Sequence, residues 1–257
     1  MSLLAALKFL TIIPLPYRQG GRPDEIGRSV VYFPVVGLLI GVVLAGLNWL
    51  LNLFLPAGMV NALLITALVV ISGALHLDGF VDTCDGIAGH KPAEKRWEVM
   101  RDSRVGAFGV VGVVLLLLVK FAALNSVPPA LLPAALIIMP VLSRWAMVYA
   151  LFAYSYAREQ GLGKEIKQAV TWPRFSLATV LTLAIVIGAG WWGGISYYLL
   201  AGLALMLAVW VIIILMAAYF RKMFAGLTGD TYGAINETAE VWVLILITAL
   251  AYNQWLV

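Results

Sequence analysis

Charge is scarce in this chain. Only 12% of the 257 residues are Asp, Glu, Lys or Arg, where a soluble domain of ordinary composition carries about 25%. Cysteine is scarcer still: the single Cys84 excludes an intrachain disulfide. With no second thiol to support redox or zinc chemistry, Cys84 reads as a small filler. Two histidines, His76 and His90, are too few for a histidine-based metal site. No internal repeat, soluble domain or low-complexity tail stands out, so an inverted-repeat transporter is not indicated. A cleavable signal peptide is not expected either. Met1 to Pro16 is apolar, but it carries Lys8, two prolines near its end and no small-residue cleavage site. It reads as a short interfacial or re-entrant element.

What the chain has instead is apolar length: 63% of residues are hydrophobic and the mean hydropathy is +0.97. A soluble core cannot absorb that excess without exposing large apolar patches. A transmembrane helix needs about 20 mostly apolar residues, and seven segments qualify. They run from about Tyr32 to Leu55, Val60 to Asp85, Ala107 to Ser126, Ala130 to Tyr154, Phe175 to Gly193, Tyr197 to Phe220, and Ala234 to Leu256. The expected fold is all-α: one polytopic membrane bundle of about seven helices over residues 1–257.

The loops set the orientation, because cytoplasmic loops are enriched in Lys and Arg. Lys8, Arg18, Arg22 and Arg28 precede the first span. Lys91, Lys95, Arg96, Arg101 and Arg104 follow the second. Arg158, Lys164, Lys167 and Arg174 follow the fourth, and Arg221 and Lys222 the sixth. These are 15 of the 17 basic residues; the alternate loops carry none. The N-terminus is therefore expected inside and the C-terminus outside, with all thirteen acidic residues on the cytoplasmic side. The formal charge of +4 then reflects basic loops rather than nucleic-acid binding. Two basic residues lie within spans. Lys120 falls near the outer end of the third, where it could snorkel to the interface. Arg144 is deeper and needs a partner, because a lone buried arginine is costly in a membrane.

The acids carry the chemistry. Asp78, Asp82 and Asp85 stand at i, i+4 and i+7; at about 100° per residue they fall within roughly 60° of one helix face. Carboxylates so placed repel one another, and protonation or a bound cation relieves the repulsion. Oxygen-only ligands select a hard ion such as Mg²⁺. His76 points roughly opposite and reads as a satisfied polar histidine. Further on, Arg101-Asp102-Ser-Arg104 abuts a glycine-rich span start, and its arginines could clamp phosphate oxygens. Near the seventh span, Asp230 and Glu237 share a face if the helix begins early, and Glu240 lies one turn on. Dipole capping accounts for Asp230 but not for the two glutamates. Carboxylates of the second and seventh spans reach the same membrane face, where one or two Mg²⁺ ions would suit in-line phosphoryl displacement. Arg101, Arg104 and Arg144 would neutralise phosphate charge.

The stretch from His76-Leu-Asp-Gly-Phe-Val-Asp-Thr-Cys-Asp to Gly86, followed by Met100-Arg-Asp-Ser-Arg-Val-Gly106, strongly resembles the cobalamin synthase family. Thr228-Gly-Asp-Thr-Tyr-Gly-Ala-Ile-Asn-Glu237 resembles a second signature of that family. Phe9-Leu-Thr-Ile-Ile-Pro-Leu-Pro16 and Tyr32-Phe-Pro-Val-Val-Gly-Leu-Leu-Ile-Gly41 match it too, in the same order along nearly the whole chain. The resemblance implies an adenosylcobinamide-GDP ribazoletransferase, a Mg²⁺-dependent enzyme of the prokaryotic plasma membrane with its active site facing the cytoplasm. A hydroxyl of α-ribazole, or of its 5′-phosphate, would attack the cobinamide-side phosphorus and release GMP, completing the nucleotide loop of vitamin B12. On that footing Asp78, Asp82, Asp85, Asp230 and Glu237 are expected to bind metal. Glu237 or Glu240 is expected to bind metal or to accept the hydroxyl proton, and Asp82 is expected to be catalytic with them. Arg101, Asp102, Arg104, Arg144 and Asn236 are expected at the substrate phosphates. The implied partners are the two substrates and the lipid bilayer, with no nucleic acid. A homo-oligomer and association with other late corrinoid-pathway enzymes are compatible with it.

Two other readings compete. Asp82-x-x-Asp85-Gly86 resembles the start of the CDP-alcohol phosphotransferase motif, but Gly89-His90 stands where Ala-Arg is expected, and Ala234 follows Gly226-x3-Asp230 where an aspartate is expected. A cation-coupled transporter would also use intramembrane acids. It needs access from both sides, and no acid lies near the outer face.

Overall fold

A computed structural model describes residues 3–14, 23–89, 92–158 and 162–255. Arg18, Arg22, His90, Lys91 and Leu256 lie outside the described residues, as does Pro16. The architecture is helical throughout; apart from one isolated bridge there is no β-pairing among the described residues. In chain order the helices are α1 (Leu3–Leu10), α2 (Pro23–Ser29), α3 (Phe33–Leu51), α4 (Ala57–Ile71), α5 (Leu75–Ile87), α6 (Ala93–Val99) and α7 (Ala107–Ser126). They continue with α8 (Leu132–Ala153), α9 (Leu162–Gln168), α10 (Trp172–Trp192), α11 (Tyr198–Phe224) and α12 (Gly229–Tyr252).

Six helices are long and apolar enough to cross a membrane, or seven if α4 and α5 together make one span. That pair is not the continuous helix expected over Val60 to Asp85. The chain turns by 90° between α4 and α5, and local chemistry explains the turn. Gly73 takes a left-handed φ of 62°, followed by Ala74 at 55°. The Gly73 amide donates to the Val70 carbonyl and the Ala74 amide to that of Val69, both at 2.9 Å. This is a glycine-terminated helix end of the Schellman type. The N-terminal segment locks it from outside, with the Ile12 amide donating to the Ile71 carbonyl at 2.9 Å.

Helix α8 forms the axis of the bundle. Its residues are buried along nearly the whole length, with α3, α10 and α12 packed round it. Other spans bury one side and turn Leu, Val, Phe and Trp outward, as at Trp49, Val111, Leu118, Leu200 and Leu215. Such a surface suits hydrocarbon rather than water. Helix α5 is held between α7 and α12. Its far end is fixed by the buried Arg96, whose guanidinium donates to the carbonyls of Gly86, Ile87 and Gly89 at 2.7, 2.7 and 2.9 Å. Arg96 thus caps the unpaired carbonyls at a helix C-terminus.

Two expectations about charge are corrected here. Lys120 does not snorkel outward. It is 1% exposed, and its Nζ donates to Glu237 Oε2 at 2.6 Å and Glu240 Oε2 at 2.7 Å. Arg144 has the partner it needs, donating to Glu240 and, at 3.0 Å, to the Ser143 hydroxyl. Nor do all the acids gather at one end of the bundle. Glu240 lies eleven residues into α12, about 16 Å along its axis. Two cations and two anions close this network with no net charge, the condition under which ions persist in a low-dielectric interior.

Candidate active site

At one end of the bundle the start of α5, the end of α8 and the start of α12 meet round a cavity of about 420 Å³. Local structure sets each wall. Helix α12 begins at Gly229, five residues before the expected start of its span. Its cap is reciprocal: the Thr231 amide donates to the Thr228 hydroxyl at 3.2 Å, and the Thr228 amide to the Thr231 hydroxyl at 2.8 Å. This capping box satisfies the helix start, and the Asp230 carboxylate, which also accepts from the Thr228 hydroxyl at 3.4 Å, lies in the cavity wall. The chain leaving α8 is tied to the same place by a two-residue bridge. The Ala157 amide donates to the Leu227 carbonyl at 2.8 Å and the Leu227 amide to that of Ser155 at 2.9 Å. Tyr156 and Arg158 are thereby held on the cavity wall.

Helices α5 and α12 approach closely through two glycines. A Cβ at Gly79 would stand 2.8 Å from the Asp230 carbonyl oxygen, and one at Gly233 the same distance from that of His76. Only glycine permits this contact, which sets Asp78 of α5 against Asp230 of α12 on one cavity wall. Asp82, half-buried one turn further along α5, lies within the fields of Asp78, Asp230 and Asp85. Arg158 approaches Asp230 at 3.7 Å, and Arg101 completes the basic side of the wall.

The remaining residues expected at the site lie elsewhere. Asp85 accepts from the amides of Gly106 and Gly109 at 2.7 and 2.8 Å. Its carboxylate thus caps the N-terminus of α7, where exposed amides and the helix dipole favour negative charge. Glu237, Glu240 and Arg144 belong to the buried network with Lys120, and Asn236 donates to Glu240 at 3.3 Å within it. None of these four lines the cavity. Asp102 and Arg104 pair with each other on the surface at 2.7 Å. Hydrogen bonds from Arg104 hold the Asp102 carboxyl down at about 2. Neither lines the cavity.

Four polar side chains of the cavity stand outside the expected set. Arg158 looked like ordinary positive-inside charge. Tyr156 and Tyr232 carried no local signal beyond Tyr232 falling in the Thr228–Glu237 motif. His76, read as a satisfied histidine, lines the cavity with neither ring nitrogen hydrogen-bonded. Its place inside the His76–Gly86 motif was the available signal.

The carboxylates suit a hard cation by their chemistry. Asp78, Asp82 and Asp230 offer oxygen ligands, and the carboxylates of Asp78 and Asp82 accept no side-chain hydrogen bond among the described residues. No three His, Cys, Asp or Glu side chains among the described residues stand close enough to form a complete protein-only site. Mg²⁺ does not require one: it commonly takes one or two carboxylates together with substrate phosphates and water.

Apolar spans close at one end on a cavity whose wall carries Asp78, Asp230, Arg101, Arg158 and three polar rings, the arrangement of a membrane-embedded protein with a polar site at one face. The family model described as cobalamin-5-phosphate synthase matches residues 2–248. The chain belongs to that family and is a multi-pass membrane transferase of cobalamin biosynthesis. Three relatives bear the name adenosylcobinamide-GDP ribazoletransferase. That of Desulforamulus reducens is 39% identical, covering 96% of this chain and 95% of its own. That of Roseiflexus sp. is 38% identical, covering 96% and 88%. That of Geotalea daltonii is 36% identical, covering 95% and 96%. No solved structure matches the chain.

Proposed function

We propose that the protein joins adenosylcobinamide-GDP to α-ribazole or its 5′-phosphate by Mg²⁺-dependent phosphoryl transfer, releasing GMP. The observation that carries this reading is the meeting of Asp78, Asp230, Arg101 and Arg158, from four separate parts of the chain, in one cavity at the end of an apolar bundle. Relatives matched over nearly their whole length bear the corresponding name. The basic loops round the cavity support a cytoplasmic opening in a prokaryotic plasma membrane.

A cavity of about 420 Å³ holds a ligand of ordinary size. A corrinoid carrying GDP is much larger, so its pyrophosphate end enters and the corrin ring stays at the mouth. Arg101 and Arg158 neutralise the pyrophosphate oxygens, and the guanidinium of Arg158 is braced by Asp230. Asp78 and Asp230, with Asp82 one turn along α5, would hold Mg²⁺ together with substrate phosphate and water, and the ion would supply charge stabilisation to the departing phosphate. The ribazole hydroxyl oxygen bonds to the cobinamide-side phosphorus while the bond to GMP breaks, and a wall carboxylate takes the hydroxyl proton. Preorganised charge and positioning then account for most of the acceleration.

The test is direct. Purified protein is supplied with Mg²⁺, adenosylcobinamide-GDP and α-ribazole, and GMP and the corrinoid product are measured together. Equal amounts of the two, dependent on Mg²⁺, are expected. Absence of both from folded protein overturns the proposal.

A further inference from the structure

Buried polar atoms without partners are rare in folded proteins, and each calls for a reason. Among the described residues, eight buried side-chain nitrogen or oxygen atoms have no hydrogen bond. Five of them belong to three residues of the candidate cavity: both ring nitrogens of His76, the hydroxyl of Tyr232, and Nε and Nη2 of Arg158. Arg158 has Asp230 beside it and a role toward phosphate. His76 and Tyr232 have no such explanation. They are only 3% and 7% exposed, and they come from the two helices that touch at Gly79 and Gly233.

Their chemistry narrows the ligand. A neutral imidazole offers one donor and one acceptor, and a phenol offers both. Neither carries the charge suited to phosphate. The charges of Arg144, Glu240 and Lys120 bear on His76 from the buried network, and the residue lies in the cavity lining. A buried pair that both donates and accepts, beside a wall of arginines suited to phosphate, matches a group that also does both: the hydroxyls of a sugar.

We infer that His76 and Tyr232 form a sugar-hydroxyl subsite that seats a ribose 2′- or 3′-hydroxyl of a nucleoside substrate. This rests on the reading of the cavity as a nucleotide-transfer site. The ribose belongs either to the nucleoside acceptor or to the guanosine end of the donor; the chemistry of the subsite is the same for both. A buried group built to bond a hydroxyl rejects the analogue lacking it, because its own polar atoms are then left unpaired.

The experiment uses the full-length protein in detergent and has two arms. Calorimetry compares α-ribazole with its 2′-deoxy and 3′-deoxy forms, and GMP with its 2′-deoxy and 3′-deoxy forms. In the wild type, one arm should show a loss of affinity of about tenfold or more for a deoxy form. In Tyr232→Phe, binding of the parent nucleoside should weaken about tenfold while the deoxy form binds as it does to the wild type, so that the discrimination disappears. His76→Gln, which keeps an amide near the outer ring nitrogen, should retain more of the discrimination than His76→Leu. In turnover, Tyr232→Phe should raise KM in that arm with kcat little changed. A merely structural role for Tyr232 would weaken parent and deoxy ligands alike. The subsite is overturned if the wild type binds every deoxy form as well as its parent, a result that needs no variant. It is also overturned if Tyr232→Phe discriminates undiminished. Failure of the broader reading is distinct: it appears as wild-type protein that binds nucleoside yet forms neither GMP nor corrinoid product.

Discussion

Asp82 sits where three other carboxylates act on it, an arrangement that costs stability unless a cation compensates. Replacing it with asparagine removes one donor without changing shape. Asp82→Asn should therefore lower transfer by about 10²-fold or more, with an unchanged gel-filtration profile in detergent. Near-normal turnover would remove the metal role. At this scale the sequence was informative but incomplete. The carboxylate ladder at 78, 82 and 85 was visible because helix periodicity is local. That Asp85 is spent on the amides of Gly106 and Gly109 was not, because its partners lie 21 and 24 residues away across a loop whose path no local rule sets. Arg158 was hidden for the same reason. A basic residue after a span looks alike whether it faces water or, as here, is drawn back over a cavity by a bridge to Leu227.

Between elements, the site depends on how closely α5 and α12 approach. The contact is backbone against backbone at Gly79 and Gly233, so one methyl group is enough to separate the helices. Gly79→Ala should cost about 1–3 kcal/mol of stability, the usual penalty for overpacking. It should also depress activity beyond that loss, because Asp78 and Asp230 move apart. Thermal unfolding in detergent and turnover on the same preparation check both. The long apolar spans were legible from composition, since about 20 apolar residues in a row admit few other fates. The break after α4 was not drawn, although Gly73 marked it. Hydropathy does not register a single left-handed residue, and the apolar run continues past it.

The whole molecule must hold charge inside a bilayer without losing its fold. Lys120 comes from α7, Arg144 from α8, and Glu237 and Glu240 from α12, so the network binds three spans at mid-depth. Lys120→Met leaves carboxylate charge uncompensated and should destabilise by about 3–5 kcal/mol. The double variant Lys120→Met with Glu237→Gln restores neutrality and should recover much of that loss, a coupling that unfolding measurements on the full cycle detect. Additive losses would mean the residues do not act as a unit. Sequence alone set Lys120 at the outer interface, because its partners are 117 and 120 residues away and depth along one helix says nothing about what faces it. The same distance hides from local reading that Glu237 and Glu240 pair with Lys120 and Arg144.

The network holds Glu237 and Glu240 inside the bundle, whereas Asp78 and Asp230 line the cavity. The sharpest test of that division is a titration of the purified protein with Mn²⁺, a spectroscopic stand-in for Mg²⁺, followed by electron paramagnetic resonance in the presence of GDP. Saturable binding by the wild type, lost in both Asp78→Asn and Asp230→Asn, is the predicted result. Undiminished Mn²⁺ binding in both variants would contradict it.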